Sequence, residues 1–449
     1  VNVTQRLAAF AVSAAVPEEA RESASRALLD TLGVALAGAR TEAARIIAGS
    51  IREQGGAPEA TVLGADFRAP AAEAALANGV AAHALDFDDV SATMRGHPSV
   101  PLVPALFALG EARAAAGRDV LDAFVVGFEI ECKLGRVIGG PAYTLGWHAT
   151  SVFGTVGAAA ACARLLGLSV KQTASALAIA ASLAGGLQAN FGTMTKPLHA
   201  GWAARSGLTA AALAGRGLSA ATGAIEVGFL RAFSGGAEID PRPLIDALGN
   251  PWEILDPGIG VKLYPCCYAT HRAIDAALDL RNRHRLTPDQ IEEVTVCVSR
   301  GTLVPLIRRP PESALEAKFS MEYCVAAALL DGRVDLDTFT EEAIRRRNVA
   351  SLAGRIHAEE TEREMDFPIE GEAEVTVRLK GGGSLSVKVE VPRGDPRRPL
   401  TWDELTAKFH ECVGGPVPEA VVDELVESFR NLDEIRDVGA LMRLLRVSA

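Results

Sequence analysis

Over roughly its first 250 residues the chain repeats apolar positions with the spacing of helices, and it fills most of them with small side chains. Segments with this period fall near 4–15, 18–38, 41–54, 70–85, 99–116, 118–138, 150–167, 170–187 and 198–217, and Gly, Pro, Asn and Asp separate them. Only residues 60–63 of this stretch read as a short strand. Hydrophobic residues make up 49% of the 449 and aromatics only 5%, so the core has to come from closely packed helices rather than from an aromatic-rich sandwich.

The pattern changes after about residue 256. A helix at 270–284 leads into IEEVTVCVS (291–299), which alternates and is β-branched, and EAEVTVRLKGGGSLSVKVEV (372–391) reads as two strands around a Gly-Gly-Gly hairpin tip. A further helix lies near 320–331, and from residue 401 the pattern is helical again at 402–412, 418–430 and 433–446. We therefore expect a mainly α fold. Residues 1–258 and 397–449 would form a large all-helical domain, with an inserted smaller α+β lid domain at 259–396.

Charge and cysteine usage exclude several classes. Lys and Arg number 45 against 56 Asp and Glu, a formal −11 with no long basic run, which argues against a nucleic-acid partner. An anionic substrate would be repelled at long range, so its site needs a local cluster of cations. No uninterrupted apolar stretch approaches the roughly 18 residues of a membrane span, so no membrane partner is expected. Residues 7–16 could pass for the apolar part of a signal peptide, but Pro17-Glu18-Glu19 opens a new helical pattern directly afterwards. Seven irregularly spaced Cys without a CxxC pair argue against a zinc ribbon or a disulfide framework and suit a reducing cytoplasm.

Five segments concentrate ionisable groups. HALDFDDVSATMRGHPS (83–99) places Asp86, Asp88, Asp89, Arg95 and His97 in one loop, although helix capping would account for part of it. GWHATSVFG (146–154) sets His148 just ahead of a helix, where it could cap or do acid–base work. In GTMTKPLHAGWAAR (192–205), Lys196 precedes Pro197, which predicts extended backbone at a helix entrance suited to anions, with His199 one turn in. GVKLYPCCYATH (260–271) offers Lys262, Cys266, Cys267 and His271, and EAKFSMEYC (316–324) offers Lys318 and Tyr323. Each cysteine could equally be a small buried apolar residue.

HALDFDD, RGHPS, GWHATS, TMTKPLHAG, KLYPCCYATH and AKFSMEY follow one another over about 240 residues, with LLDG (329–332) after them. In this the chain resembles the MmgE/PrpD family, which includes 2-methylcitrate dehydratases, cis-aconitate decarboxylases and iminodisuccinate epimerases. The resemblance implies a helical large domain with an inserted α+β domain, a homodimer, no metal or organic cofactor, and a site in the cleft between domains. It also implies that Asp86, His97, His148, Lys196, Lys262 and Tyr323 line that site. Two positions depart from the decarboxylase pattern: Val90 stands where a Thr is expected and Cys267 where a His is expected.

The RGHPS and TMTKP contexts resemble the epimerase branch more closely, so the expectation is an iminodisuccinate-type epimerase. A 2-methylcitrate dehydratase-type hydro-lyase is the alternative, followed by a cis-aconitate decarboxylase-type lyase. Each reaction places negative charge next to a carboxylate of a small di- or tricarboxylate, which cations must stabilise. Lys196, Lys262, Arg95, His199 and His271 are candidates for holding the substrate. His148, Lys196, Cys267, Tyr323, Asp86 and His97 are candidates for the chemistry. One ammonium at 4 Å is worth about 4 kcal/mol to a carboxylate at an effective dielectric near 20, before desolvation. Two readings from other classes stay open: a non-catalytic small-polyanion binder, and a magnesium site of the Asp-rich kind at DFDD, which lacks a second Asp-rich motif.

Overall fold

A computed structural model describes residues 2–363, 371–414 and 417–445. Helix accounts for 60% of the residues and strand for 8%, so the fold is mainly α. The chain divides into two compact units, Val1–Ile259 with Thr401–Ala449, and Gly260–Leu400.

The first unit contains α1 (Val3–Ser13), α2 (Glu18–Gly38), α3 (Glu42–Gln54), α4 (Ala71–His83), α5 (Ser99–Arg113), α6 (Gly117–Thr144), α7 (Ala149–Leu165), α8 (Val170–Leu183) and α9 (Thr195–Gly215). Two residue pairs, β1 (Ala60–Thr61) and β2 (Arg68–Ala69), form an antiparallel ladder between α3 and α4. Among its described residues the regular structure of this unit is thus helical apart from this small hairpin. Helices α5 and α7 are buried on all sides over Ser99–Gly110 and Ala149–Ala163, as expected of helices with no polar face. Helices α4, α6, α8 and α9 surround α7 and α5.

Small residues make that packing possible. A side chain on Gly79 of α4 would meet the Gly201 Cα of α9 at 2.7 Å, and one on Gly207 would meet the Ala158 Cβ of α7 at 2.4 Å. The three backbones nearly touch, which is why the apolar content is Ala and Gly rather than aromatic.

Several boundaries differ from expectation, among them the end of α8 at Leu183 where the pattern runs to 187. Helix α6 continues past Gly139-Gly140-Pro141 to Thr144, where the sequence signals a stop near residue 138. Lys196 and Pro197 lie within the first turn of α9 rather than before it. Proline at this place sacrifices no hydrogen bond, because the first N–H groups of a helix have no intrahelical partner.

The Gly260–Leu400 unit is built on one four-stranded sheet of order β4-β3-β5-β6, from β3 (Ile291–Val298), β4 (Ile356–Glu360), β5 (Ala373–Leu379) and β6 (Ser384–Val389). The strands β5 and β6 pair antiparallel across the glycine turn, while β4 runs parallel to β3 and carried no alternation signal strong enough to read. The inward residues Val294, Val296, Val298, Val375 and Val377 are fully buried and join Ile274, Ala277, Leu280, Val325 and Leu329 of the helices His271–His284 and Met321–Asp331 in one core. Among the described residues, no helix is long and apolar enough to cross a membrane.

The last helices, Trp402–Val413, Glu419–Arg430 and Val438–Leu444, return to the first unit. Trp402–Val413 packs on α2, where Lys408 and Asp30 form an ion pair at 2.6 Å with both side chains essentially removed from solvent.

Candidate active site

The loop between α4 and α5 is set by its own polar groups. Asp86 turns the chain in the left-handed region (φ 53°), as does Arg95 (φ 57°), and Ser91 pairs with Gly96 through backbone bonds. Asp89 receives the Ser99 backbone N–H at 3.2 Å and also its hydroxyl, so this carboxyl serves the start of α5 from ten residues upstream. The loop rests on α6 at Gly135, where a side chain would meet the Met94 Cα at 2.6 Å. The aliphatic part of Arg95 lies against Gly139, one turn further along. On its other side Lys408 donates to the Phe87 carbonyl at 2.8 Å and sits 4.0 Å over the Phe87 ring.

Five of the sequence-derived candidates meet around this loop. Lys196 Nζ donates to Asp86 Oδ2 at 2.9 Å and lies 5.4 Å from the Phe191 ring. His97 Nε2 is 3.8 Å from Asp86 Oδ1, and its backbone N–H donates to Thr150 Oγ1 at 3.0 Å. His148 occupies the cap position of α7, but its imidazole makes no capping bond; Nδ1 stands 3.0 Å from His199 Nδ1 instead. Phe191 abuts His148 edge-on at 5.0 Å. Apart from His199, which is about half buried, these polar groups are largely closed off from solvent.

Three groups here were not singled out from the sequence as site residues. His83, the last residue of α4, donates from Nδ1 to Asp88 Oδ2 at 2.8 Å, and its ring lies 4.5 Å from that of His97 and 5.8 Å from that of His148. Asp88 is also 2.9 Å from His97 Nδ1. Glu131 of α6 lies buried below α7, where neither carboxyl oxygen has a hydrogen-bond partner. A His and an Asp five residues apart across a helix end were the available signal for the first two; Glu131 offered none.

The buried carboxyls do not share one charge state. Burial pushes Asp30 up, holds Asp89 at about 8 and keeps Glu131 well above the usual carboxylate range. Asp88 is equally buried, yet the imidazoles of His83 and His97 outweigh that cost and hold it well below the usual range. Of these four carboxyls, Asp88 is the one shifted toward its charged form. Burial, with His83 and Lys196 nearby, pushes His148 far down and His199 to about 4, so these two form a neutral pair at pH 7. One Nδ1 of the pair donates and the other accepts.

A pH effect on stability follows from the His199 depression. An unfolded histidine takes up its proton near pH 6.5 and folded His199 only near 4, so its contribution is present above 6.5 and is lost as pH falls through 4. His199 is partly exposed, so the contribution is discounted to about 1–2 kcal/mol. Stability measured by urea titration between pH 7 and 4 should fall less steeply in His199→Gln than in the parent; identical slopes would refute this.

Within the second unit the remaining candidates have other surroundings. Lys262 is fully buried. Cys267 is half-buried ahead of the turn Tyr268–Thr270, its N–H donating to the Lys318 carbonyl and its carbonyl accepting from the Thr270 hydroxyl, both at 2.9 Å. His271 is enclosed by Tyr264 and Tyr268, with Nε2 at 3.3 Å from the Cys266 carbonyl. The Tyr323 hydroxyl donates to the Thr338 carbonyl at 2.6 Å, and burial raises its pKa further. Its proton is committed to that bond, which weakens the expectation that Tyr323 donates to a substrate. All seven cysteines are free thiols.

Among the described residues one group of three potential metal ligands lies close together, His83, Asp88 and His97, with donor atoms within 4.8 Å. Both Nδ1 atoms stand at direct hydrogen-bond distance from one oxygen. Of the two contacts, His83 Nδ1 makes a hydrogen bond to Asp88 and His97 Nδ1 stands at contact distance from the same oxygen, so the three form a compact His–Asp–His set.

A helical body here buries paired lysine, aspartate and histidine side chains against one loop. Comparison with known proteins gives the family. The MmgE/PrpD N-terminal domain matches residues 5–242 and the MmgE/PrpD C-terminal domain residues 264–434, and the chain belongs to that family of enzymes. It is 33% identical to cis-aconitate decarboxylase of Mus musculus over 438 residues, covering 94% of this chain and 88% of that one. The Homo sapiens cis-aconitate decarboxylase is also 33% identical, over 95% of this chain and 90% of its own. That of Aspergillus terreus is 29% identical over 96% and 92%.

Proposed function

We propose that this chain is a lyase that needs no cofactor and acts on a small polycarboxylate, with cis-aconitate as the favoured substrate. The observation that carries the reading is likeness to proteins named cis-aconitate decarboxylase over nearly the whole chain. This moves the preference from the epimerase expected from sequence to the lyase. Loss of carbon dioxide breaks a C–C bond and leaves its electron pair delocalised toward a neighbouring unsaturated carboxylate. A cation must meet that charge and an acid must return a proton to carbon. Lys196 and Arg95 supply cations in the first unit, and Lys262 is a buried cationic candidate of the second unit. His97, faced by Asp86 and Asp88, is our candidate proton donor; the neutral His148–His199 pair suits hydrogen bonding or proton acceptance.

Cys267 favours a second reading. It stands where the decarboxylase pattern has a histidine, and a thiol opposite a base suits inversion of a carbon next to a carboxylate. We further propose a homodimer and, from the free thiols, a reducing cytoplasmic setting.

The test is a panel of cis-aconitate, 2-methylcitrate and iminodisuccinate, run without added metal and again after exhaustive chelation. Release of carbon dioxide from cis-aconitate, undiminished by chelation, is the expected result. Inversion of iminodisuccinate with no decarboxylation would establish the epimerase instead, and dehydration of 2-methylcitrate the hydro-lyase.

A further inference from the structure

We propose that Asp88 and His83 are positioning residues for His97. Asp88 would keep a proton on His97 Nδ1 and so dedicate Nε2, the nitrogen that faces Asp86, to proton transfer, while His83 holds Asp88 in place and ionised. The proposal deepens the lyase reading, on which the role of His97 rests.

The geometry supports it at each contact. Asp88 Oδ2 lies 2.8 Å from His83 Nδ1 and 2.9 Å from His97 Nδ1, so both rings converge on one oxygen. A carboxylate only accepts, so His83, whose bond to Asp88 is well aligned, keeps its hydrogen on Nδ1. His97 Nδ1 stands 2.9 Å from the same oxygen without a well-aligned bond, and a small ring rotation would place its hydrogen on Asp88 while Nε2 faces Asp86 at 3.8 Å. Asp88 and His83 are nine-tenths or more buried. Nothing in helix termination requires this pair: α4 ends on backbone bonds, and it is Asp89 that serves the start of α5.

The groups that face His97 come from several elements. Asp86 and Asp88 belong to its own loop, His83 to α4, His148 and Thr150 to α7, and Lys196 of α9 acts through Asp86. Of these only the two carboxylates stabilise positive charge on the ring. Neutralising Asp88 should therefore move the His97 ionisation to lower pH.

Asp88→Asn keeps the shape but removes the negative charge, so the one oxygen on which both rings converge becomes a weaker acceptor and holds neither ring hydrogen on Nδ1 as firmly. The expected result is a kcat lower by at least about 100-fold, a KM changed less than about threefold, and the His97 limb of the kcat profile moved to lower pH. His83→Leu should weaken turnover in the same way, and His83→Asn, whose amide N–H stands near the place of Nδ1, should recover much of it.

A readout without turnover accompanies these: two strongly downfield imidazole N–H proton resonances in the unmutated protein, both lost in Asp88→Asn. If the unmutated protein acts on none of the polycarboxylates, the proposed reaction falls and these resonances alone decide the positioning claim. A well-folded Asp88→Asn with normal kcat and an unmoved pH limb overturns it. Should Asp88→Asn not fold, equal kcat and pH profiles for His83→Leu and His83→Asn overturn it instead.

Discussion

A Lys196→Ala protein is expected to turn over its substrate about 100- to 1,000-fold more slowly, the range seen when one charge-stabilising donor is removed from a preorganised site. Lys196 is 6% exposed and is held 2.9 Å from Asp86, so its ammonium is oriented before any substrate arrives. Removing it deprives a developing anion of an oriented cation and Asp86 of its ammonium partner at 2.9 Å. Lys196→Arg should not restore the rate, because a guanidinium does not fit the place of a compact ammonium between Asp86 and Phe191. Circular dichroism and a thermal melt establish that the variant folds; near-normal kinetics in a folded Lys196→Ala would make the lysine structural only.

The second large effect concerns stability. Lys408→Met should destabilise the protein by about 3–5 kcal/mol, the usual consequence of stripping one partner from a buried ion pair. Asp30 is 2% exposed and Lys408 4%, so water cannot replace the lost contact. Burial already pushes Asp30 upward against the pull of Lys408. In the variant that pull is gone, and Asp30 must carry a proton in the folded state. A carboxyl raised in this way contributes least at high pH: stability falls as pH rises above the unfolded value of about 3.9, so the deficit should widen between pH 5 and 8. The double variant Asp30→Leu, Lys408→Met should recover most of the loss. Equal stabilities for the single and double variants at pH 8 would contradict this account.

Much of the fold could be read from the sequence because period and punctuation agree. Nine helical segments of the first 250 residues correspond to α1–α9, and the hairpin β5–β6 turns at its glycines. What could not be read has physical causes. Strand β4 is IHAEE, short and largely solvent-facing, so its pairing with β3 depends on tertiary context rather than on alternation. Helix α6 runs through Gly-Gly-Pro although local propensity opposes it, and we have no account of what sustains it.

For the candidate site, the residues with conspicuous side chains in loops were legible: Asp86, His97, His148, Lys196 and His199 do come together. His83 and Asp88 were harder, because each looks like a residue that ends or caps a helix until the fold turns both toward His97. Glu131, in the middle of α6, shows in sequence only a polar residue in an apolar run.

The bond from Lys408 to the Phe87 carbonyl joins residues 321 positions apart, with the whole Gly260–Leu400 unit lying between them in the chain. On a ribosome adding about 5–20 residues per second, the loop at Phe87 would wait roughly 15–65 s for its distant clasp. During that interval the inserted unit can complete its own sheet, since all four strands precede residue 390. The first unit to begin synthesis is therefore the last to be finished, and the loop that carries Asp86 and Asp88 gains its final support only when the late helix Trp402–Val413 closes on α2.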